Sequence, residues 1–148
     1  MQTHQTESPV MTRWERILVL TSGGILFALL FTAAILRPST RGFGTHQQLG
    51  LPPCSIRMFF DVRCPACGMT TSWAHTVRGQ LPSALKANIG GTLLAMLAVL
   101  AGPWGVISGM RGRWLWSPPS ELWVAALTVG ILLVTLGDWA VRLWMESH

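Results

Sequence analysis

All three cysteines of the chain fall between positions 54 and 67, in the stretch LPPCSIRMFFDVRCPACGMT. Cys64-Pro-Ala-Cys67 has the spacing with which paired thiolates grip a zinc or iron ion, and Cys54 offers a third thiolate from the loop before it. A fourth ligand would have to come from His46, Asp61 or His75. On one continuous helix, His75 would stand about 12 Å along the axis from Cys67, too far to share an ion without a broken helix or a second copy. The same thiol pair admits redox exchange, although glutaredoxin-like Cys-Pro-x-Cys sites stand on a βαβ scaffold for which this sequence has no pattern. It admits plain packing too, because a buried free cysteine behaves as a small hydrophobe.

The elements around the thiols decide how they can act. Pro65 suits the first position of a helix, where its missing N–H costs nothing. The sequence therefore predicts a helix from Pro65 to about Val77, closed by Gly79. With Cys64 at its start, the exposed N–H groups and positive dipole end would favour a thiolate there. The hydroxyls of Thr70 and Thr71 are expected to bond back to carbonyls three or four residues earlier. Pro82 starts a further predicted helix, SALKAN, that leads directly into the next apolar run. The segment SIRMFF before the motif is too short to span anything and is expected at the membrane interface or against the helices.

The rest of the chain is built for lipid. Of 148 residues, half are hydrophobic and 11% charged, which excludes an ordinary soluble globule. Three apolar runs, 17–36, 88–110 and 121–141, each approach the roughly 20 residues a helix needs to cross a bilayer. The first is longer than a signal-peptide core and lacks a small-x-small cleavage site, so it is expected to be retained as a span. Trp14, Trp114, Trp116, Trp123, Trp139 and Trp144 gather at run ends, where indole rings anchor in headgroups. Trp104 is the exception, beside Pro103, where a kink is expected. Small residues recur four apart at Ala101, Gly105 and Gly109, at Gly24 and Ala28, and at Ala126 and Gly130, offering faces for close helix packing. The expected architecture is an all-α membrane protein: three transmembrane helices, with a short motif-bearing helix between the first and second spans. It is read as one integral membrane domain over 1–148, its cysteine loop and helix at 45–86, with residues 1–12 polar and frayed.

The formal net charge is +5, but the cations flank the apolar runs rather than form one basic face. That distribution points to lipid headgroups and topology, and away from nucleic acid. Seven cations (Arg37, Arg41, Arg57, Arg63, Arg78, Lys86 and Arg142) share the motif side, against four (Arg13, Arg16, Arg111 and Arg113) on the other, so the motif loop is expected in the cytoplasm. Asp138 is spaced to pair with Arg142 one turn on. One such carboxylate is too little for an ion path.

Leu51-Pro-Pro-Cys54, Cys64-Pro-Ala-Cys67-Gly-Met-Thr70, Arg78-Gly79 and Ala87-Asn88 follow one another in an order that resembles an uncharacterised family of small bacterial membrane proteins. That family, a domain of unknown function, is marked by a Cys-Pro-x-Cys-Gly-x-Thr motif. The resemblance covers roughly residues 45–110, with Cys54, Cys64, Pro65, Cys67, Gly68 and Thr70 on motif positions. It implies a two- or three-span protein of the bacterial inner (cytoplasmic) membrane and carries no established activity. This chain departs from the family in having Thr71 where Arg is frequent, and Asn88-Ile89 where Asn-Pro is frequent. Replacing that Arg removes a bidentate donor.

No Ser-His-Asp set, paired carboxylate or phosphate-binding loop is present, so an enzyme is not expected. The first expectation is a non-catalytic accessory or structural subunit of a larger membrane complex, such as a respiratory or photosynthetic assembly, in contact with the bilayer and other membrane subunits. The alternative is a membrane-embedded thiol or metal site for redox or metal handling, with zinc or iron on Cys54, Cys64 and Cys67.

Overall fold

The computed structural model describes residues 10–146. Among them the chain is helical, with one isolated β-bridge between Val10 and Arg113. Helix α1 spans Arg13–Ile35; a 3₁₀ turn, Thr45–Leu49, precedes α2, Ser55–Phe60. Then come α3, Met69–Thr76, α4, Leu81–Ala87, α5, Ile89–Arg111, and α6, Glu121–Glu146. Helices α1, α5 and α6 are long and apolar enough to cross a membrane. The fold is thus an all-α membrane protein with three transmembrane helices and short helices between the first two.

The first span begins ahead of its apolar run because of a capping box. Thr12 Oγ1 accepts from the Glu15 amide at 3.3 Å, and the Glu15 carboxylate accepts from the Thr12 amide at 2.7 Å. The expected fraying of residues 1–12 is corrected at its inner end. Met11 is buried and its amide donates to Gly112 O at 3.0 Å; residues 1–9 lie outside the described residues.

Helices α1 and α5 pack antiparallel over the small residues of α5. Gly105 faces Val19, and a Cβ on Gly109 would come within 2.6 Å of Leu20 Cγ. On α1 the contact residue is Gly23, where an added Cβ would sit 3.0 Å from the Val106 amide, while Gly24 and Gly130 face open space. Of the expected small-residue faces, those of Gly24 and Gly130 take no part in packing within the chain. A helix that is apolar all round carries no stripe by which its inner face can be read.

Arginines close both ends of this pair. Arg16 donates to Gly109 O at 2.9 Å and Met110 O at 3.3 Å, at the last turn of α5. Arg78 donates to Ala33 O at 3.2 Å, Ala34 O at 2.8 Å and Leu36 O at 2.8 Å, at the last turn of α1, and to Ala74 O at 2.6 Å. The last carbonyls of a helix have no partner inside it, and a guanidinium there meets both the missing bonds and the negative dipole end.

Helix α6 lies against α5, with Gly90 directly under Thr135. Arg142 pairs with Asp138 at 2.9 Å, as their spacing predicts, and also donates to Lys86 O at 2.7 Å and Leu85 O at 3.2 Å, holding the end of α4. Helix α5 runs through Pro103 as one element, and Trp104 meets Trp114 at 5.5 Å between ring centroids. Elsewhere α1 and α6 turn large apolar side chains outward, among them Phe31 and Leu133. In a spanning helix these contact lipid.

Candidate thiolate site

Cys54 ends the Pro-Pro loop and occupies the N-cap position of α2. The helix itself keeps Phe59 and Phe60 exposed, consistent with an interfacial segment. After α2 the chain turns back through Asp61, whose φ of 52° is left-handed, and reaches the Cys64–Gly68 turn. There the Cys67 amide donates to Cys64 O at 2.9 Å and the Met69 amide to Ala66 O at 3.1 Å.

That turn corrects the helix expected from Pro65. Helix α3 begins at Met69, because Gly68 adopts φ +84°, a left-handed conformation that a right-handed helix interior excludes. Gly68 is pressed against two backbone carbonyls: a Cβ there would lie 2.5 Å from Ala87 O and 2.7 Å from Gly42 O. Cys64 accordingly has no helix start beside it, and the cysteine that itself occupies a helix N-cap is Cys54.

The two chain segments bring the sulfurs together. Cys54 Sγ and Cys64 Sγ lie 3.3 Å apart, and all three sulfurs fall within 4.8 Å of one another. Each is half-buried and none is disulfide-bonded. Thiolates about 2.3 Å from a tetrahedral ion sit roughly 3.8 Å apart, so three donors in this arrangement fit three corners of such a site.

Their acidities differ for physical reasons. The polarised N–H groups of the first turn of α2, Arg57 foremost and then Ile56, hold the Cys54 thiol below its ordinary 9.0, and the Cys64 thiol adds a further hydrogen bond. Burial pushes Cys64 up to about 12, with the neighbouring sulfurs of Cys54 and Cys67 raising it further. The thiolate expected at Cys64 thus forms first at Cys54.

A cavity of about 600 Å³ opens beside the sulfurs. His46 and Asp61 line it with the three cysteines; His75 does not, and its Nδ1 is 2.7 Å from Gln80 Oε1. His46 Nε2 sits 3.2 Å from Pro52 O. Among the described residues, the donors in mutual reach are the three sulfurs without a histidine or carboxylate.

Several supports were not read from the sequence. Asn88 donates from its side-chain amide to Pro65 O and Cys67 O, each at 3.1 Å, and accepts from the Gly91 amide at 2.7 Å. It also breaks the path expected from SALKAN into the second span. Its extended backbone, φ −165°, ends α4 and caps α5. An Asn directly before an apolar run is the signal that marks such a cap. Thr71 is fully buried, and its hydroxyl meets Thr45 Oγ1 at 2.8 Å rather than a carbonyl on its own helix. Trp139, expected among headgroups, donates its indole N–H to Arg63 O at 2.6 Å and ties α6 to the motif loop.

Residues 54–102 match the family described as "Protein of unknown function (DUF2752)". That segment holds the three cysteines, Gly68, Thr70, Arg78 and Asn88, and so shows the resemblance drawn from the motif. No curated protein and no solved structure matches the chain.

Proposed function

We propose, for a chain whose cysteine segment matches a family of unknown function, that it holds a thiophilic metal ion at the rim of a three-span bundle. Cys54, Cys64 and Cys67 would act as ligands. The observation that supports this reading is the convergence of three sulfurs from two separate segments to within 4.8 Å. Zinc or iron suits such a donor set, and the fourth position would face the cavity that His46 and Asp61 line. On this proposal the motif loop faces the cytoplasm of a bacterial cell, where free thiols persist. Metal quantification of detergent-purified protein tests it, with about one ion per chain expected in the wild type. Cys64→Ser and Cys67→Ser should each lose the ion. A wild type free of zinc and iron after purification without chelator, or serine variants with undiminished metal, would overturn it.

A second reading has its own support in α6. Only 6% of its apolar window is buried inside the chain, so nearly the whole helix is available to a neighbour. As an accessory subunit, the protein would present α6 to a larger membrane complex. Purification in a mild detergent should then recover partners in fixed ratio, and Leu133→Trp on the outer face should release them. A chain recovered alone from native membranes at every detergent strength would sink this reading.

A further inference from the structure

We propose that Arg41 and Arg57 bind a phosphate oxyanion in the cavity whose other wall carries the cysteines. The Arg57 guanidinium lies over the Phe43 ring, 3.8 Å from its centroid. Arg41 and Arg63 stand at 5.5 and 5.9 Å from the same centroid. Arg41 and Arg57, like charges against one phenyl ring, repel one another, and the negative face of the ring offsets that repulsion only in part.

The sharper observation is on Arg57 itself. Its Nη1 is closed off from solvent and makes no hydrogen bond among the described residues. A buried guanidinium N–H without an acceptor is costly, and natural structures rarely leave one so. Asp61 lines the same cavity, yet neither Arg41 nor Arg57 has a carboxylate partner among the described residues. An anion in the cavity would meet the guanidinium groups of Arg41 and Arg57, which line its wall, whereas the closed-off Nη1 could donate to it only after Arg57 shifts. A guanidinium fork matches the paired oxygens of an oxyanion.

Position selects phosphate. The cavity wall includes Gly68, which is seated against Ala87 at the end of α4, immediately before the first turn of α5. Phe59 and Phe60, exposed on α2, directly follow the lining residues Arg57 and Met58. With the three long helices spanning a bilayer, this end of the spans would meet the lipid phosphates, where interfacial cations find their partners. The bound phosphate is either the headgroup of an anionic phospholipid or free in solution. The inference does not depend on a metal at the sulfurs.

The test uses the full chain in detergent. Native mass spectrometry would count retained phosphatidylglycerol against phosphatidylcholine. Thermal melting would compare inorganic phosphate with chloride at equal ionic strength. Wild type should prefer the anionic lipid, or gain melting temperature with phosphate, and Arg57→Gln should weaken that binding about tenfold, with Arg57→Lys in between. Retention of phosphatidylglycerol without a phosphate effect identifies the headgroup; the reverse identifies the free ion. Should Arg57→Gln fail to fold, Arg41→Gln, at an exposed position, reads the same loss. Cys54→Ser, Cys64→Ser and Cys67→Ser combined should leave anion binding intact, which separates this test from that of the metal. Equal anion binding in wild type, Arg57→Gln and Arg41→Gln, or no anion preference at all, overturns the proposal.

Discussion

The side-chain amide of Asn88 reaches the carbonyl of Cys67 at 3.1 Å, tying the start of the second span to the cysteine turn. One buried side chain thereby caps α5 through its oxygen and holds two turn carbonyls through its nitrogen. Asn88→Asp keeps the capping oxygen and removes the donor. It should cost about 1–3 kcal/mol, the penalty of unsatisfied buried groups, and Asn88→Ala about 1 kcal/mol more for the lost cap. If the sulfurs bind metal, both variants should weaken it roughly 10–100-fold, as disturbed outer-shell partners do. Chemical denaturation with a chelator competition reads both effects.

Alkylation kinetics should separate Cys54 from Cys64. In chelator-treated protein, Cys54 should react before Cys64, with a pH midpoint below 9.0. Cys64 should stay slow until the pH approaches about 12. The folded chain holds the Cys64 proton more tightly than the unfolded chain does. Its contribution to stability is therefore complete below 9.0 and is lost as pH climbs from there to about 12. Cys54 works in the opposite sense, its contribution present above 9.0 and lost as pH falls through its depressed folded value. Mass-spectrometric mapping of iodoacetamide adducts across pH would decide; a Cys64 that reacts ahead of Cys54 would contradict these assignments.

Two glycines with similar backbone angles should respond differently to alanine. Gly79, φ +72°, has open space where a Cβ would go, so Gly79→Ala should cost only the roughly 1–2 kcal/mol of a left-handed alanine. Gly68, φ +84°, would also drive that Cβ into the carbonyls of Ala87 and Gly42. Gly68→Ala should therefore destabilise well beyond Gly79→Ala and disturb the cysteine turn. Equal melting temperatures for the two variants would show that the close approach is absent.

Arg78→Lys tests the fork rather than the charge. Arg78 serves four carbonyls on two helices, and an ammonium cannot reproduce that planar set. The loss should be about 3 kcal/mol, with charge-assisted bonds worth roughly 1.5–3 kcal/mol each and only part of the set lost. Hydrogen exchange should quicken first at the carboxyl end of α1. Unchanged protection at residues 33–36 would argue that water replaces the guanidinium without cost.

Much of this architecture was legible because bilayer thickness dictates run length. The three spans and the clustering of Cys54, Cys64 and Cys67 follow from one-dimensional pattern. What was not legible depends on rotation and on distant partners. Spacing could not choose Gly23 over Gly24, since both lie on a helix that is apolar on every side. Pro65 suggested a helix start by local propensity, but the left-handed Gly68, fixed by the remote carbonyls of Ala87 and Gly42, moved that start to Met69. The Thr45–Thr71 pair and the arrival of Arg57 and Arg63 on Phe43 join residues far apart in sequence, and no window of neighbours contains such a signal.

The two arginine clasps have a bearing on biogenesis. Arg16 precedes nearly all of the first span, yet its acceptors at Gly109 and Met110 emerge last in the second; Arg78, which closes the other end, is made in between. During synthesis the leading helix enters the membrane capped at its amino end by Thr12 and Glu15 but with its last carbonyls unmet, and the pair is locked only when the returning helix has been translated to its end. A nascent chain stalled before residue 109 should thus remain exchangeable with its insertion machinery, and one stalled beyond it should not.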